Sequence, residues 1–173
     1  MKGTRNVVLL SIAALVLILF VWGCNGCNSI KAADQNVKKK WSDVETNYQR
    51  RTDLYSSVIK TVEASANFEK STLTQVVEAR AKATSINVDI NDPKTLEAFQ
   101  QAQGNLQSSF SRLIASFEAY PDLKTTKSFQ DFQTQIEGTE NRNKVARQDS
   151  NKSVKNYNPK IEKLPTRLLA VTI

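Results

Sequence analysis

Histidine is absent from the 173 residues. That removes the usual general base and the commonest metal ligand. Cysteine occurs only at Cys24 and Cys27, which excludes a disulfide scaffold and a Cys-His nucleophile. Five glycines and four prolines are too few for a β-sandwich or another turn-rich fold. No glycine-rich phosphate loop, HExxH or nucleophile elbow occurs. Without His, a Ser or Thr nucleophile would need a lysine as base. The two nearest arrangements, Ser150-Asn151-Lys152 and Ser153-Val154-Lys155, read as polar helix content. The expectation is a protein that is not an enzyme and that takes no cofactor and no metal.

Charge is present in both signs. Lys and Arg number 24 and Asp and Glu 17, a net charge of +7. The two signs interleave along the chain, which reads as a solvated surface. Nucleic-acid binding would need a clustered basic patch with exposed aromatics. The aromatics here fall on helix seams instead, so no nucleic-acid partner is expected.

The dominant pattern lies between Val37 and Arg80. Val37, Trp41, Val44, Tyr48, Tyr55, Val58, Val62, Ala66, Leu73 and Val76 follow an alternating spacing of four and three. This is the seam of a helix that packs along its length against other helices. Asn67 and Phe68 mark a kink or short break within it. Arg51 and Glu69 fall on the same line. A buried charge is costly unless paired, so Arg51 either meets a carboxylate (Glu69, Glu118, Glu137 or Glu140) or extends its head outward to water.

Ahead of this helix, Val7–Gly23 is apolar apart from Ser11. In a helix these residues cover about 26 Å, close to the thickness of a hydrocarbon core. A single membrane-spanning helix is expected. Lys2 and Arg5 precede it, and Lys31 and Lys38–Lys40 follow it. The two sides nearly balance, so the side of the membrane that receives the rest of the chain stays open. Val21-Trp22-Gly23-Cys24 resembles a lipobox with Cys24 as the lipid-bearing residue, although Trp22 is bulky for that pattern. The plainer reading of Cys24–Ser29 is a hinge where the chain leaves the bilayer.

Beyond Arg80, residues 84–92 lose the helical period. Asp92 followed by Pro93 is a helix start, with Asp as cap and Pro at the first position. The next helix carries Leu96, Phe99, Leu106, Phe110, Leu113 and Phe117 on one face. Gly104 either weakens it locally or permits close helix approach. It stops at Tyr120-Pro121. A last long helix is capped within Thr125–Ser128. Its seam starts with Phe129, Phe132 and Ile136, turns polar through Thr139 and Asn143, and resumes at Ala146, Val154, Tyr157, Ile161 and Leu164. Pro159 should kink it or end it early. The polar section from Thr139 to Ser150 is either a satisfied buried network or the lining of a groove.

These residues together resemble the LemA family of bacterial membrane proteins. The likeness starts at Asn28-Ser29-Ile30 and runs through Trp41-Ser42-x-Val44-Glu45 and Gln49-Arg50-Arg51-x-Asp53-Leu54. It continues through Glu69, Ala79-Arg80 and Glu118-x-Tyr120-Pro121-x-Leu123-Lys124. It then takes in Phe129-x-x-Phe132-Gln133-x-Gln135-Ile136-x-x-Thr139-Glu140, Arg147, Asn151, Tyr157-Asn158 and Pro165. Ser56-Ser57 stands where the family usually has Pro-Asn, Cys27 where it has Tyr, and Pro159 is not usual in it. Relatives continue with an apolar, aromatic tail past the position of Ile173. The resemblance implies a membrane helix followed by an antiparallel helical bundle, and it implies no reaction.

The expected fold is therefore all-α. An antiparallel up-and-down bundle of three long helices plus minor helices follows one transmembrane helix. Residues 1–28 form the anchor and hinge, and residues 29–173 the bundle. The expected role is a single-pass, membrane-anchored interaction or scaffold protein with a protein partner or a second copy of itself. The alternative is an envelope lipoprotein that binds a peptide or lipid in a groove of the bundle. Arg50, Arg51, Asp53, Glu69, Arg80, Glu118, Glu140 and Arg147 are the candidates for a buried polar network or groove.

Overall fold

The computed structural model describes residues 2–63, 70–120 and 127–163. Every regular element among them is helical. Helix α1 runs Lys2–Glu63, α2 Lys70–Ser85, α3 Pro93–Ser116 and α4 Lys127–Glu162, with a 3₁₀ turn at Phe117–Ala119 between the last two. The seam read from Val37 to Arg80 thus belongs to two helices. Ala66, Asn67, Phe68 and Glu69 lie outside the described residues, as do Thr125 and Leu164.

Several local signals act as their chemistry dictates. Asp92 has extended dihedrals, and its carboxylate accepts the amide of Lys94 at 3.0 Å. Thr95 Oγ1 binds back to the carbonyls of Asp89 and Asp92, both at 3.0 Å, which closes the turn. At the other end of α3, Tyr120 leaves helical dihedrals (φ −125°, ψ 73°) just before Pro121.

Two local expectations, at Cys24–Ser29 and at Val154, are corrected, and Pro159 is found inside the last turn of its helix. The Cys24–Ser29 stretch is no hinge; α1 passes through it unbroken. Asn, Gly and Cys each cost a helix only about 0.5–1 kcal/mol, and regular helix on both sides makes a break more costly than continuation. Pro159 does not stop α4 at once: the helix passes through it and ends at Glu162. The lost N–H and ring clash act on the preceding turn, while Lys163 still donates to the Pro159 carbonyl at 3.3 Å. Val154 is exposed, whereas Ser150 and Ser153 are buried. The seam of α4 keeps the four-three spacing through Ala146, Ser150, Ser153 and Tyr157, so geometry places serines inward and the valine outward.

The chain divides into two compact units. One comprises residues 1–42 and 147–173. In it, the apolar side chains from Val7 to Trp22 are all exposed, at 42–70% among the large hydrophobics. Being apolar on every face, this part of α1 has the pattern of a membrane-crossing helix, and α1 is long and apolar enough to cross a bilayer. Farther along, α1 and the end of α4 run antiparallel. Lys40 Nζ meets Asp149 Oδ2 at 3.0 Å and Lys160 Nζ meets Ser29 Oγ at 3.0 Å. Both contacts sit eleven residues apart on each helix, so the two helices keep one register between them. Trp41 is half-buried here and Ile30 buried.

The second unit, residues 43–146, is the bundle proper. Its core joins Tyr55, Val58, Ile59 and Val62 of α1 to Val76 and Ala83 of α2. Ala102, Leu106, Phe110 and Leu113 of α3 complete it with Phe117 and Phe129. Ring contacts show how the helices run. Tyr48 meets Phe99 edge-on at 5.2 Å, and Tyr55 stacks on Phe110 at 3.5 Å between centroids and 2° between planes. Residue numbers rise together in these pairs, so α1 and α3 are parallel, with α2 returning between them and α4 after them. That is an up-and-down arrangement.

Candidate functional site

The seams of α1, α3 and α4 each carry a polar residue at the same level of the bundle. On α1 it is Arg51, four residues before Tyr55 and three after Tyr48. On α3 it is Gln103, between Phe99 and Leu106. On α4 it is Glu140, one residue past Thr139. Arg51 is 2% exposed and Gln103 4%. The three side chains meet.

The guanidinium of Arg51 is held from several directions. Nη1 points at Glu140 Oε1 at 3.5 Å. Nη2 donates to the Gln103 backbone carbonyl at 3.3 Å and also to Gln103 Oε1. The ring of Tyr48 lies 4.7 Å from the guanidinium carbon and that of Tyr55 5.9 Å, both within cation–π range. The Tyr55 hydroxyl donates to the same Glu140 oxygen at 2.9 Å. One carboxylate oxygen therefore accepts from a phenol and faces a guanidinium. The Arg51 Nε has no partner among the described residues.

Burial first, and then the Glu140 charge, push the Tyr55 phenol above its ordinary value, against the opposing effect of Arg51. The phenol thus stays protonated and remains a donor. Glu140 is only partly covered, its side chain 29% exposed against 3% for Arg51. The layer reaches from the dry core to the edge of water on the α4 side.

One turn along α4, Asn143 is 4% exposed and neither amide atom finds a partner among the described residues. Thr139 is buried and accepts from Arg142 Nη2 at 3.0 Å. The polar section of α4 therefore faces the core, and at Asn143 it is not fully satisfied.

The other sequence candidates sit apart from this layer. Arg50 and Asp53 are exposed, and Asp53 accepts from Gln49 Nε2 at 3.0 Å. Arg80 is half-buried on α2, its Nε without a partner among the described residues. Arg147 is exposed and belongs to the other unit. Glu118 lies in the 3₁₀ turn, and Glu69 lies outside the described residues. Cys24 is exposed on α1 and Cys27 half-covered, both as free thiols. Gln103, Tyr48 and Tyr55 are the members that sequence reasoning left out of the network, whereas Asn143 was already placed in the polar section of α4. For Gln103 a signal existed, because the four-three register from Phe99 to Leu106 passes through it.

Chemically, the layer brings together a guanidinium, a carboxylate, a primary amide and a protonated phenol. It can orient helices. A second feature is an open groove of about 580 Å³ between α2 and α3. Gln75, Glu78, Lys82, Asn105, Ser108 and Arg112 line it with mixed polar groups.

The sequence profile of the LemA family matches residues 40–173, which include the whole polar layer. The chain belongs to the LemA family. It is 28% identical to Protein LemA of Metamycoplasma hominis over 138 residues, covering 79% of this chain and 60% of that protein. It is 24% identical over 162 residues to a magnetosome protein MamQ of Paramagnetospirillum magneticum, covering 83% of this chain and 60% of that protein. The MamQ of Magnetospirillum gryphiswaldense is also 24% identical, over 94% of this chain and 67% of its own length. This LemA-family chain thus spans about 60% of the length of the first two relatives.

Proposed function

We propose that this LemA-family chain is a non-enzymatic scaffold held in the cell membrane by residues 7–23, whose helical bundle engages a protein partner. The observation that carries this reading is α1 itself. One helix includes an apolar stretch that none of the described residues covers and, farther along, a seam buried in a bundle. A soluble core helix would not expose every large hydrophobic from Val7 to Trp22. The buried Arg51 layer supports the scaffold half of the reading. Its groups bind one another across three helices, which suits a role in orienting them.

Crosslinking of the full-length chain in native membranes, followed by identification of the products, tests this directly. A reproducible partner, whether another protein or a second copy of the chain, is the expected result. Products that vary between preparations, or only monomer at every crosslinker length, would contradict it.

A further inference from the structure

The net charge of +7 is unevenly divided. Residues 43–146 hold twelve Lys and Arg against fourteen Asp and Glu, a net of −2. Residues 24–42 and 147–163, the part of the other unit beyond the apolar stretch, hold nine against three, a net of +6. Two of those three acids are already engaged, Asp34 with Lys38 at 2.8 Å and Asp149 with Lys40 at 3.0 Å.

Height along α1 places this charge. Ser29 lies six residues past Gly23, about 9 Å along an unbroken helix. A headgroup layer is about 5–8 Å thick on each side of the hydrocarbon core, so Ser29 stands at its outer edge. Lys160 touches Ser29 Oγ at 3.0 Å and approaches its carbonyl at 3.4 Å, which brings the end of α4 to the same level. Both contacts are to neutral groups, so the Lys160 charge is not offset by them. Because α4 descends as its numbers rise, Lys163 lies about 4–5 Å closer to the bilayer and Lys155 about 7–8 Å farther out. Lys31 follows Ser29 by two residues, about 3 Å farther along the axis and on the opposite side of α1. All four lie within about 10 Å of the headgroup plane, the range over which salt leaves such charges effective.

We propose that Lys31, Lys155, Lys160 and Lys163 form a collar, built from two distant parts of the chain, that binds anionic lipid headgroups. At this level Glu162 and the Lys38-paired Asp34 stand against the four collar lysines, so the collar keeps an excess of positive charge by count. The inference rests on the reading of residues 7–23 as the membrane span.

The test reconstitutes the full-length chain into nanodiscs of phosphatidylcholine alone or with phosphatidylglycerol, and follows amide hydrogen exchange. Peptides covering residues 150–163 should exchange about fivefold more slowly with phosphatidylglycerol, the ratio expected of one interfacial lysine. High salt should remove the difference. Substituting Lys155→Gln, Lys160→Gln and Lys163→Gln together should abolish it, while the same three positions as Arg should keep it. Peptides covering Leu106–Leu113 report on folding and should not respond. Equal exchange in both lipids, or a difference indifferent to salt, overturns the collar while leaving the span intact. A chain that fails to enter nanodiscs and washes off membranes in carbonate overturns the span and the collar with it.

Discussion

A guanidinium in a helix seam is tolerable only when its charge and donors are met. At Arg51 the charge and both terminal nitrogens are met by three elements at once, Gln103 from α3, Glu140 from α4 and the rings of Tyr48 and Tyr55 from its own helix, while Nε is left without a partner among the described residues. Removing one partner strands the rest. Glu140→Ala should lower stability by about 2–4 kcal/mol, at the low end of a buried pair because the carboxylate is partly solvated. The double variant Arg51→Met with Glu140→Leu should lose less than Glu140→Ala alone, since no buried charge remains. Chemical denaturation of the micelle-solubilised full-length chain measures both. The Tyr55 phenol has its own signature. Its folded value is raised, so stability is fully present below the unfolded value near pH 10 and falls as pH rises above it. The wild type should lose about 1.4 kcal/mol per pH unit more than Tyr55→Phe in that alkaline window. Equal slopes for the two proteins would show that the phenol ionises freely. Of this layer, the sequence made Arg51 and a set of carboxylates including Glu140 legible, because a charge in an apolar line demands a partner. Gln103 escaped notice because a neutral amide breaks a hydrophobic pattern without announcing a cost. Which carboxylate is chosen depends on helix register, which no single seam encodes.

Among the elements, α3 is the one most fully written in sequence. Asp92-Pro93 opens it, Tyr120-Pro121 closes the turn after it, and the aromatic seam between them is buried. Asp92→Ala should cost about 1 kcal/mol through loss of the cap. Gly104 contributes no close approach, since a Cβ there would meet nothing within 4 Å. Gly104→Ala should therefore stabilise the protein by about 0.5–1 kcal/mol. A lower melting temperature in that variant would reveal a tight contact at this position. Helix α4 was harder to read. Its hydrophobic residues suggested Val154 for the seam, but a strict four-three register selects Ser150 and Ser153. Small polar residues can occupy a seam when their hydroxyls bond locally, as Ser153 Oγ does to the Ser150 carbonyl at 2.7 Å. Local propensity similarly misdirected the reading of Cys24–Ser29. Weak helix formers between two strong helical stretches follow their neighbours.

For the whole molecule, the linear sequence concealed the distribution of charge. Acidic and basic residues interleave along it, yet the segments 24–42 and 147–163, more than one hundred residues apart, fold into one unit and concentrate the positive charge. Only the antiparallel pairing of α1 with the end of α4 makes this visible. The apolar stretch, by contrast, was plain from composition alone. What joins the two is the continuity of α1 through Cys24–Ser29, because the position of the basic residues above a bilayer follows from it. Spin labels at Val21 and Lys39, in a chain with Cys24→Ser and Cys27→Ser, measure that continuity most directly. The two positions are eighteen residues and thus about five turns apart, on one face of the helix, so their separation should be about 27 Å. Pulsed electron resonance in nanodiscs should return a single narrow distribution at that distance. A broad distribution, or a peak well below it, would mean a hinge at Cys24–Ser29 and would contradict the unbroken tether.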